Sequence, residues 1–188
     1  LVSFSEWLRT KEKWGNHGEE AQKAVEDIRK RMKVYEQGTD KAAELFRAMH
    51  YPLFEYVSKR VPEITDDFFR IDDAMRAGFG WEMGIFETWD ALGLQKGLEL
   101  MKTEGMEPAS WVHEMIESGV NSFYKKEGGK RLYYDIPSKS YKLIPGTESF
   151  IILENLSDGI VWKNGESHIY DLGDGILGLE FRSKMNTF

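Results

Sequence analysis

Ile71-Asp72-Asp73-Ala74-Met75-Arg76-Ala77-Gly78-Phe79-Gly80-Trp81-Glu82-Met83-Gly84-Ile85-Phe86-Glu87-Thr88-Trp89-Asp90-Ala91-Leu92-Gly93 sets two helical patterns on either side of a glycine-rich bend. Ahead of it, Thr65 is a good N-cap, and Asp66 and Asp67 suit the positive end of a helix dipole, so a helix is expected over 66–77. Phe68, Ile71 or Asp72, and Met75 face inward on that spacing. Gly78 and Gly80 break this helix, and a second one runs from Ile85 to Leu92 with Gly93 at its C-terminal cap. Asp72 lies in an apolar frame, which turns its carboxylate inward toward backbone donors of the Gly78 to Gly84 loop, a structural role. The loop itself has the superficial look of a dinucleotide fingerprint. It fails as one, because its third glycine comes one position late and it follows a helix rather than a strand. Its glycines serve positive φ angles and a close approach of two helices instead.

Outward from this centre the same period persists. Residues 1–16, with Trp7, Leu8 and Trp14 among charges, read as a connecting arm. A helix is expected over 17–37 from Ala21, Ala24 or Val25, Ile28, Met32 and Tyr35, stopped by Gly38. Thr39 or Asp40 caps the next helix, whose stripe is Ala43, Phe46, Met49 or His50, Leu53 and Val57. Pro52 is expected to kink or split that helix, and Pro62 to end it. Helices over 94–103 and 108–117 complete a helical region spanning 17–120, with glycines Gly105 and Gly119 at C-terminal caps.

After Gly119 the period shifts toward 2. Leu132, Tyr134 and Ile136 alternate with polar neighbours, and a Pro137-Ser138-Lys139-Ser140 turn leads to Tyr141 and Leu143, a hairpin pattern. Further short strands are expected at Phe150 to Leu153, at Gly159 to Trp162, and across His168 to Phe181 with a Gly173-Asp174-Gly175 turn. The fold class is therefore mainly α, a helical bundle with a β-hairpin-rich C-terminal tail. Its β part divides into a linker over 121–166 and a terminal segment over 167–188.

Composition excludes much of the rest. The chain has 188 residues, enough for a real core, and no cysteine, so disulfides, thiolate metal sites and cysteine nucleophiles are out. A formal charge of −7 disfavours nucleic acid as a partner. One basic stretch stands apart, with six cations and two acids between Ser122 and Pro145. It reads as a solvated hairpin with Lys on exposed edges, or as a landing site for an anionic ligand such as the phosphates of coenzyme A. His17, His50, His113 and His168 are scattered without ligand spacing, so no metal site is expected. No apolar run is long enough to cross a bilayer and no signal peptide is visible, so a soluble, cytoplasmic setting is the default. The start without Met suggests that the N-terminus was made by a boundary cut or by processing rather than by the start of a gene.

The central stretch, together with Val61-Pro62-Glu63-Ile64, resembles the second helical repeat of the 3-hydroxyacyl-CoA dehydrogenase C-terminal domain. The family's pattern is Ile-Asp, Ala-Met, a Gly-rich bend, Gly-Pro-Phe, an acidic residue and Asp-x-x-Gly; only the Pro departs, being Ile85 here. Asp72, Gly78, Gly80, Gly84, Asp90 and Gly93 are the structural residues of that motif. A second resemblance lies in Ile169-Tyr170-Asp171-Leu172-Gly173-Asp174-Gly175-Ile176-Leu177-Gly178-Leu179-Glu180-Phe181 and Lys184-Met185-Asn186, which is similar to the first hairpin of crotonase-type enoyl-CoA hydratases. The order of the two resembles the middle of a bifunctional fatty-acyl-CoA enzyme of β-oxidation type, with 167–188 a truncated start of its crotonase domain.

The resemblance implies NAD-dependent oxidation of 3-hydroxyacyl-CoA to 3-ketoacyl-CoA, with NAD and the His/Glu catalytic pair carried by a nucleotide-binding domain of Rossmann type that this chain lacks. No catalytic, cofactor or metal residue is assigned to the chain, and by itself it is expected to be inactive. Its implied role is closure of the substrate cleft and subunit association, with Phe79, Trp81, Met83, Phe86 and Trp89 lining an interface or acyl pocket, or simply packing in a core. The implied partners are an acyl-CoA substrate, the missing Rossmann and crotonase domains, and a second copy in a homodimer. The alternative is a stand-alone helical dimerisation or acyl-CoA binding module without catalysis.

Overall fold

The computed structural model describes residues 27–127, 129–149 and 151–183. The expected arm over 1–16, residues 17–26 of the first expected helix, Phe150 and the Lys184-Met185-Asn186 bend lie outside them. Among the described residues there are six α-helices, α1 (Ile28–Gln37), α2 (Lys41–Ile64), α3 (Phe69–Phe79), α4 (Ile85–Leu92), α5 (Leu94–Thr103) and α6 (Ser110–Glu117). Six strands follow, β1 (Tyr124–Glu127), β2 (Lys130–Asp135), β3 (Ser140–Leu143), β4 (Ile160–Lys163), β5 (Ser167–Gly173) and β6 (Ile176–Phe181). They fall into two compact units, one from Leu1–Phe123 with Tyr134–Ser140, the other from Tyr124–Tyr133 with Tyr141–Phe188.

In the helical unit α4 is the hub, packing against α1, α2, α3 and α5. It buries Ile85, Phe86, Glu87, Thr88, Trp89, Ala91 and Leu92, so it has almost no solvent side. Around it stands an aromatic core. Phe86 packs on Phe68 at 4.9 Å and on Phe123 at 5.0 Å between ring centroids, and Trp89 stacks on Phe54 at 4.9 Å. Such rings dominate core energetics through buried area, and each well-placed pair adds about 0.5–1.5 kcal/mol beyond it. A single residue, Gly93, separates α4 from α5. Its φ of +100° lets the chain turn from one helix into the next, and it donates to the Trp89 carbonyl at 3.0 Å while Gly97 donates to its own carbonyl at 2.9 Å.

Several boundaries differ from the sequence reading. Pro52 does not split α2, which runs unbroken across it; the proline sits on the exposed side while Phe46, Tyr51, Phe54, Val57 and Val61 are buried. Their packing offsets the one lost backbone donor, worth about 3 kcal/mol in an isolated helix. Pro62 lies inside the last turn, which closes when the Thr65 N–H reaches the Val61 carbonyl. Helix α3 begins at Phe69 rather than Asp66, because the Thr65 hydroxyl accepts from the Asp67 amide in a local turn at 3.1 Å. Gly78 does not break α3 either. It is helical, and the left-handed Gly80 ends the helix.

Strands β1, β2 and β3 form one sheet in that order, β1 antiparallel to β2 with Tyr124 opposite Tyr133 and Glu127 opposite Lys130. β1 escaped the sequence reading because Lys125-Lys126-Glu127 is wholly exposed and carries no apolar alternation. The expected strand over 150–153 is absent from 151–153; the Asn155 and Leu156 amides turn back to the carbonyls of Ile152 and Leu153 in a short 3₁₀ turn. The second sheet has the order β4-β5-β6. Its hairpin turns at Asp174 (φ +53°) and Gly175 (φ +76°), as a two-residue loop of the primed type requires. Across it Trp162 pairs with Ile169 and Ile169 with Leu179, so these side chains share one face with Leu177 and Phe181. On the other face Tyr170 is buried and donates to Glu180 at 2.8 Å.

The environments of two helical glycines predict opposite outcomes. A Cβ on Gly97 meets the Trp89 indole nitrogen at 2.4 Å, whereas one on Gly78 meets nothing within 4 Å. Gly97→Ala is expected to destabilise the chain by about 1–3 kcal/mol, and Gly78→Ala to stabilise it by about 0.4–1 kcal/mol. Urea unfolding of the two variants measures both.

Candidate functional site

The described residues place one dense polar cluster inside the helical unit, where α3 meets the start of α4. Asp72 is fully buried on α3. Its Oδ1 accepts from the Phe86 amide at 2.9 Å and its Oδ2 from the Glu87 amide at 3.0 Å. These are two of the first-turn donors that a helix cannot satisfy by itself, and a carboxylate there also meets the positive end of the α4 dipole. Glu87 reaches back in turn. Its Oε2 accepts from the Gly84 amide at 2.6 Å, and Arg76 of α3 bridges Glu87 and Asp73. Thr88 donates to the Gly84 carbonyl at 2.8 Å. So close is the crossing that a Cβ on Gly84 lies 2.2 Å from the Asp72 Cβ. At the other end of α4, Asp90 Oδ1 accepts from the Phe123 amide at 2.8 Å and fixes the chain leaving α6.

The inward Asp72 was legible in the sequence, although its donors lie in the first turn of α4 and not in the Gly78 to Gly84 loop. Glu87 and Arg76 were missed. The signal for Glu87 was present, a glutamate three positions after the residue that precedes a helix, as in a capping box. No spacing rule announces Arg76, which meets Glu87 only because α3 and α4 cross.

Dinucleotide binding does not fit this cluster. The backbone donors that a pyrophosphate needs at a helix N-terminus are taken, Phe86 and Glu87 by Asp72 and Gly84 by Glu87. Among the described residues no group of three or more potential metal ligands gathers. Three cations of the 122–145 stretch have partners within the chain, Lys125 with Glu127 at 3.1 Å and over the Tyr141 ring at 5.9 Å, Lys139 with Glu114 at 2.8 Å, and Arg131 over the Tyr124 ring at 4.0 Å.

Beside the polar cluster lies a cavity of about 280 Å³, between Ile28 and Met32 of α1, His50 of α2, Trp81, Glu82 and Met83 of the α3–α4 loop, and Thr88 of α4. Of the five aromatic and Met candidates, Trp81 and Met83 line it. Phe86 and Trp89 have no exposure and belong to the core, while Phe79 is 71% exposed. His50 stacks on Phe46 at 4.0 Å and lies 6.4 Å from Trp81. Its Nδ1 sits 2.9 Å from the Phe46 carbonyl, which only accepts, so the neutral ring carries its proton there. Burial lowers the His50 pKa below the ordinary 6.5, with the Phe46 carbonyl pulling partly the other way. A second cavity, about 340 Å³, lies between α2 and α5 and is lined by Arg47, Tyr51, Leu100 and Glu104 among others. Burial pushes the Tyr51 phenol up to about 12, so it stays protonated.

Residues 45–133 match the family model described as 3-hydroxyacyl-CoA dehydrogenase, C-terminal domain. A Bacillus subtilis (strain 168) protein named "Probable 3-hydroxyacyl-CoA dehydrogenase" is 36% identical over 170 residues, covering 89% of this chain and 21% of its own length. The chain thus spans about a fifth of that relative. No solved structure matches. The matched segment holds α3, α4 and the whole Asp72 cluster.

Asp72→Asn places an amide donor against backbone donors and is expected to cost about 2–4 kcal/mol. Asp73→Asn, which removes only an exposed partner of Arg76, is expected to cost less than about 1 kcal/mol. Chemical denaturation of both at pH 7 checks the contrast. For His50, a folded pKa below the unfolded one means that the unfolded chain takes up the proton first. Stability is full above pH 6.5 and falls as the pH drops through 6.5 toward the folded value. His50→Gln is expected to flatten that part of the profile, read as unfolding midpoints between pH 7.5 and 5.5.

Proposed function

We propose, from the match of residues 45–133 to the 3-hydroxyacyl-CoA dehydrogenase C-terminal domain, that this chain is the helical part of a longer enzyme that oxidises 3-hydroxyacyl-CoA to 3-ketoacyl-CoA. The match is the observation that carries the reading. The relative's name and its far greater length support it. In such a parent the part outside this chain would hold NAD as the hydride acceptor for C3 and a base for the hydroxyl proton. What this chain contributes is a rigid surface. Asp72 locks α3 against α4, so the loop between them holds Trp81 in place for the substrate side or for a neighbouring subunit, with Phe79 exposed beside it.

The finer proposal is that the parent also carries an enoyl-CoA hydratase domain of crotonase type, which β5 and β6 begin. Its support is an apolar face that is exposed among the described residues. Leu177 is 63% exposed, Leu179 55%, Trp162 49% and Phe181 41%, all on one side of the sheet. A contiguous apolar face of this kind marks a packing surface, and further secondary structure of the same polypeptide is its natural cover.

The chain alone is expected to form no NADH from 3-hydroxybutyryl-CoA and NAD, while the full-length polypeptide forms NADH and also hydrates crotonyl-CoA. A full-length polypeptide that turns over neither substrate overturns the proposal. Oxidation without hydration keeps the dehydrogenase and removes the hydratase. A chain extended past residue 188 is also expected to bind less 8-anilinonaphthalene-1-sulfonate than the present one, as its sheet face becomes covered.

A further inference from the structure

Asn164-Gly165 lies in the turn between β4 and β5, away from the polar cluster and the cavities of the helical unit. It is the one place in the chain where an asparagine precedes a glycine; Asn16, Asn121, Asn155 and Asn186 precede His17, Ser122, Leu156 and Thr187. The turn is closed by the Asn164 amide, which donates to the Ser167 carbonyl at 2.9 Å. It also folds the side chain back onto the backbone. Asn164 Oδ1 accepts from the Glu166 amide at 2.8 Å and from the Ser167 amide at 2.6 Å. Both of these groups donate, so they meet the oxygen of the side-chain amide and not its nitrogen. Two N–H groups on one carbonyl oxygen polarise it, and they stand where negative charge develops when a nucleophile attacks Cγ.

The nucleophile is the next residue in the chain. Among the described residues the Gly165 amide makes no hydrogen bond, and Asn164 and Gly165 are both exposed, so hydroxide can reach the amide proton. Glycine also has no Cβ to crowd its nitrogen. We propose that Asn164 is a self-modifying site that deamidates through a cyclic imide, faster in the folded chain than in the unfolded one. The Gly165 nitrogen gives its proton to hydroxide, which becomes water, and forms a bond to Cγ. The carbonyl electron pair moves onto Oδ1, under the Glu166 and Ser167 amides. When that pair returns, the bond from Cγ to Nδ2 breaks, and Nδ2 takes a proton from water and leaves as ammonia. Water then opens the imide. Breaking the new bond to Cγ gives aspartate; breaking the original peptide bond gives isoaspartate. The sum is asparagine and water going to acid and ammonia, with no change of oxidation state. Isoaspartate lengthens the main chain between β4 and β5, where Lys163 pairs with His168 and the Glu166 carbonyl accepts from the Arg182 amide at 2.6 Å. The strand it loosens is β4, a four-residue edge of its sheet.

The test ages the chain in mildly alkaline buffer, once folded and once in guanidinium chloride at the same pH. Trypsin then releases residues 164–182, a peptide in which Asn164 is the one amide side chain, so any gain in mass from amide to acid belongs to it. Mass spectrometry gives the rate, and chromatography separates the aspartate and isoaspartate forms. In an enzyme one oxyanion donor is worth about 10²–10³ in rate; at a turn open to water, where solvent also donates, the folded chain is expected to gain about tenfold over the unfolded one. Both products are expected. Gly165→Ala adds a methyl group that meets nothing within 4 Å, so the fold accommodates it. That methyl group crowds the attacking nitrogen and is expected to slow the folded chain at least about fivefold. A folded rate no higher than the rate in guanidinium chloride overturns the proposal, and this comparison needs no variant. An unchanged rate in a folded Gly165→Ala overturns it as well, as does acid formed without any isoaspartate, since an open imide yields both.

Discussion

The two oxygens of Asp72 reach from α3 to the Phe86 and Glu87 amides, and the rest of the helical unit is arranged around that contact. An eight-residue helix is too short to be stable alone in water, since its nucleation cost is spread over very few bonds. Helix α4 is also almost fully buried, so its unpaired first-turn amides cannot turn to solvent. A side chain from another element has to meet them. Gly84 has none to offer, and its bareness is what allows Asp72 to come so near.

Once α4 is held, packing follows from its composition. Phe86 packs on Phe68 and Phe123, Trp89 stacks on Phe54, and Trp89 also meets Phe123, so one ring joins the two contacts. Gly97 leaves the space that the Trp89 indole fills, and Gly93 makes the turn that brings α5 close enough to leave it. Asp90 then ties the exit from α6 to the same helix. Residues that resemble a functional signature along the chain thus serve mostly to hold one short helix in the middle of a bundle. In the helical unit Trp81 and Met83 stand at the cavity and Phe79 in the open, and in the second unit the apolar side of the β4-β5-β6 sheet is exposed.

The local signals were strong wherever one element carried its own evidence. Helices α4 and α5 end where their glycines and apolar periods put them, and the Asp174-Gly175 hairpin follows from the positive φ that such a turn demands. Readings failed where a local rule met a tertiary force. Pro52 ends helices in isolation, yet here its exposed position costs one donor while the opposite face is packed. Gly78 weakens a helix without stopping it, since it sits before a better stop at Gly80. The polar strand β1 had no pattern of its own and exists because β2 pairs with it.

From the sequence alone came the mainly helical class with a hairpin tail, the inward carboxylate of Asp72, and the likeness of the stretch from Ile71 to Gly93 to a known domain, because these depend on residues close together in the chain. Tertiary structure alone decided which amides Asp72 meets, that Arg76 pairs with Glu87, and that Ile28, His50 and Trp81 share a cavity. It also sorted five similar candidates into core, cavity wall and open surface. Periodicity tells which side of a helix is buried, but what lies against that side is set by how separate helices cross, and no local pattern encodes the crossing.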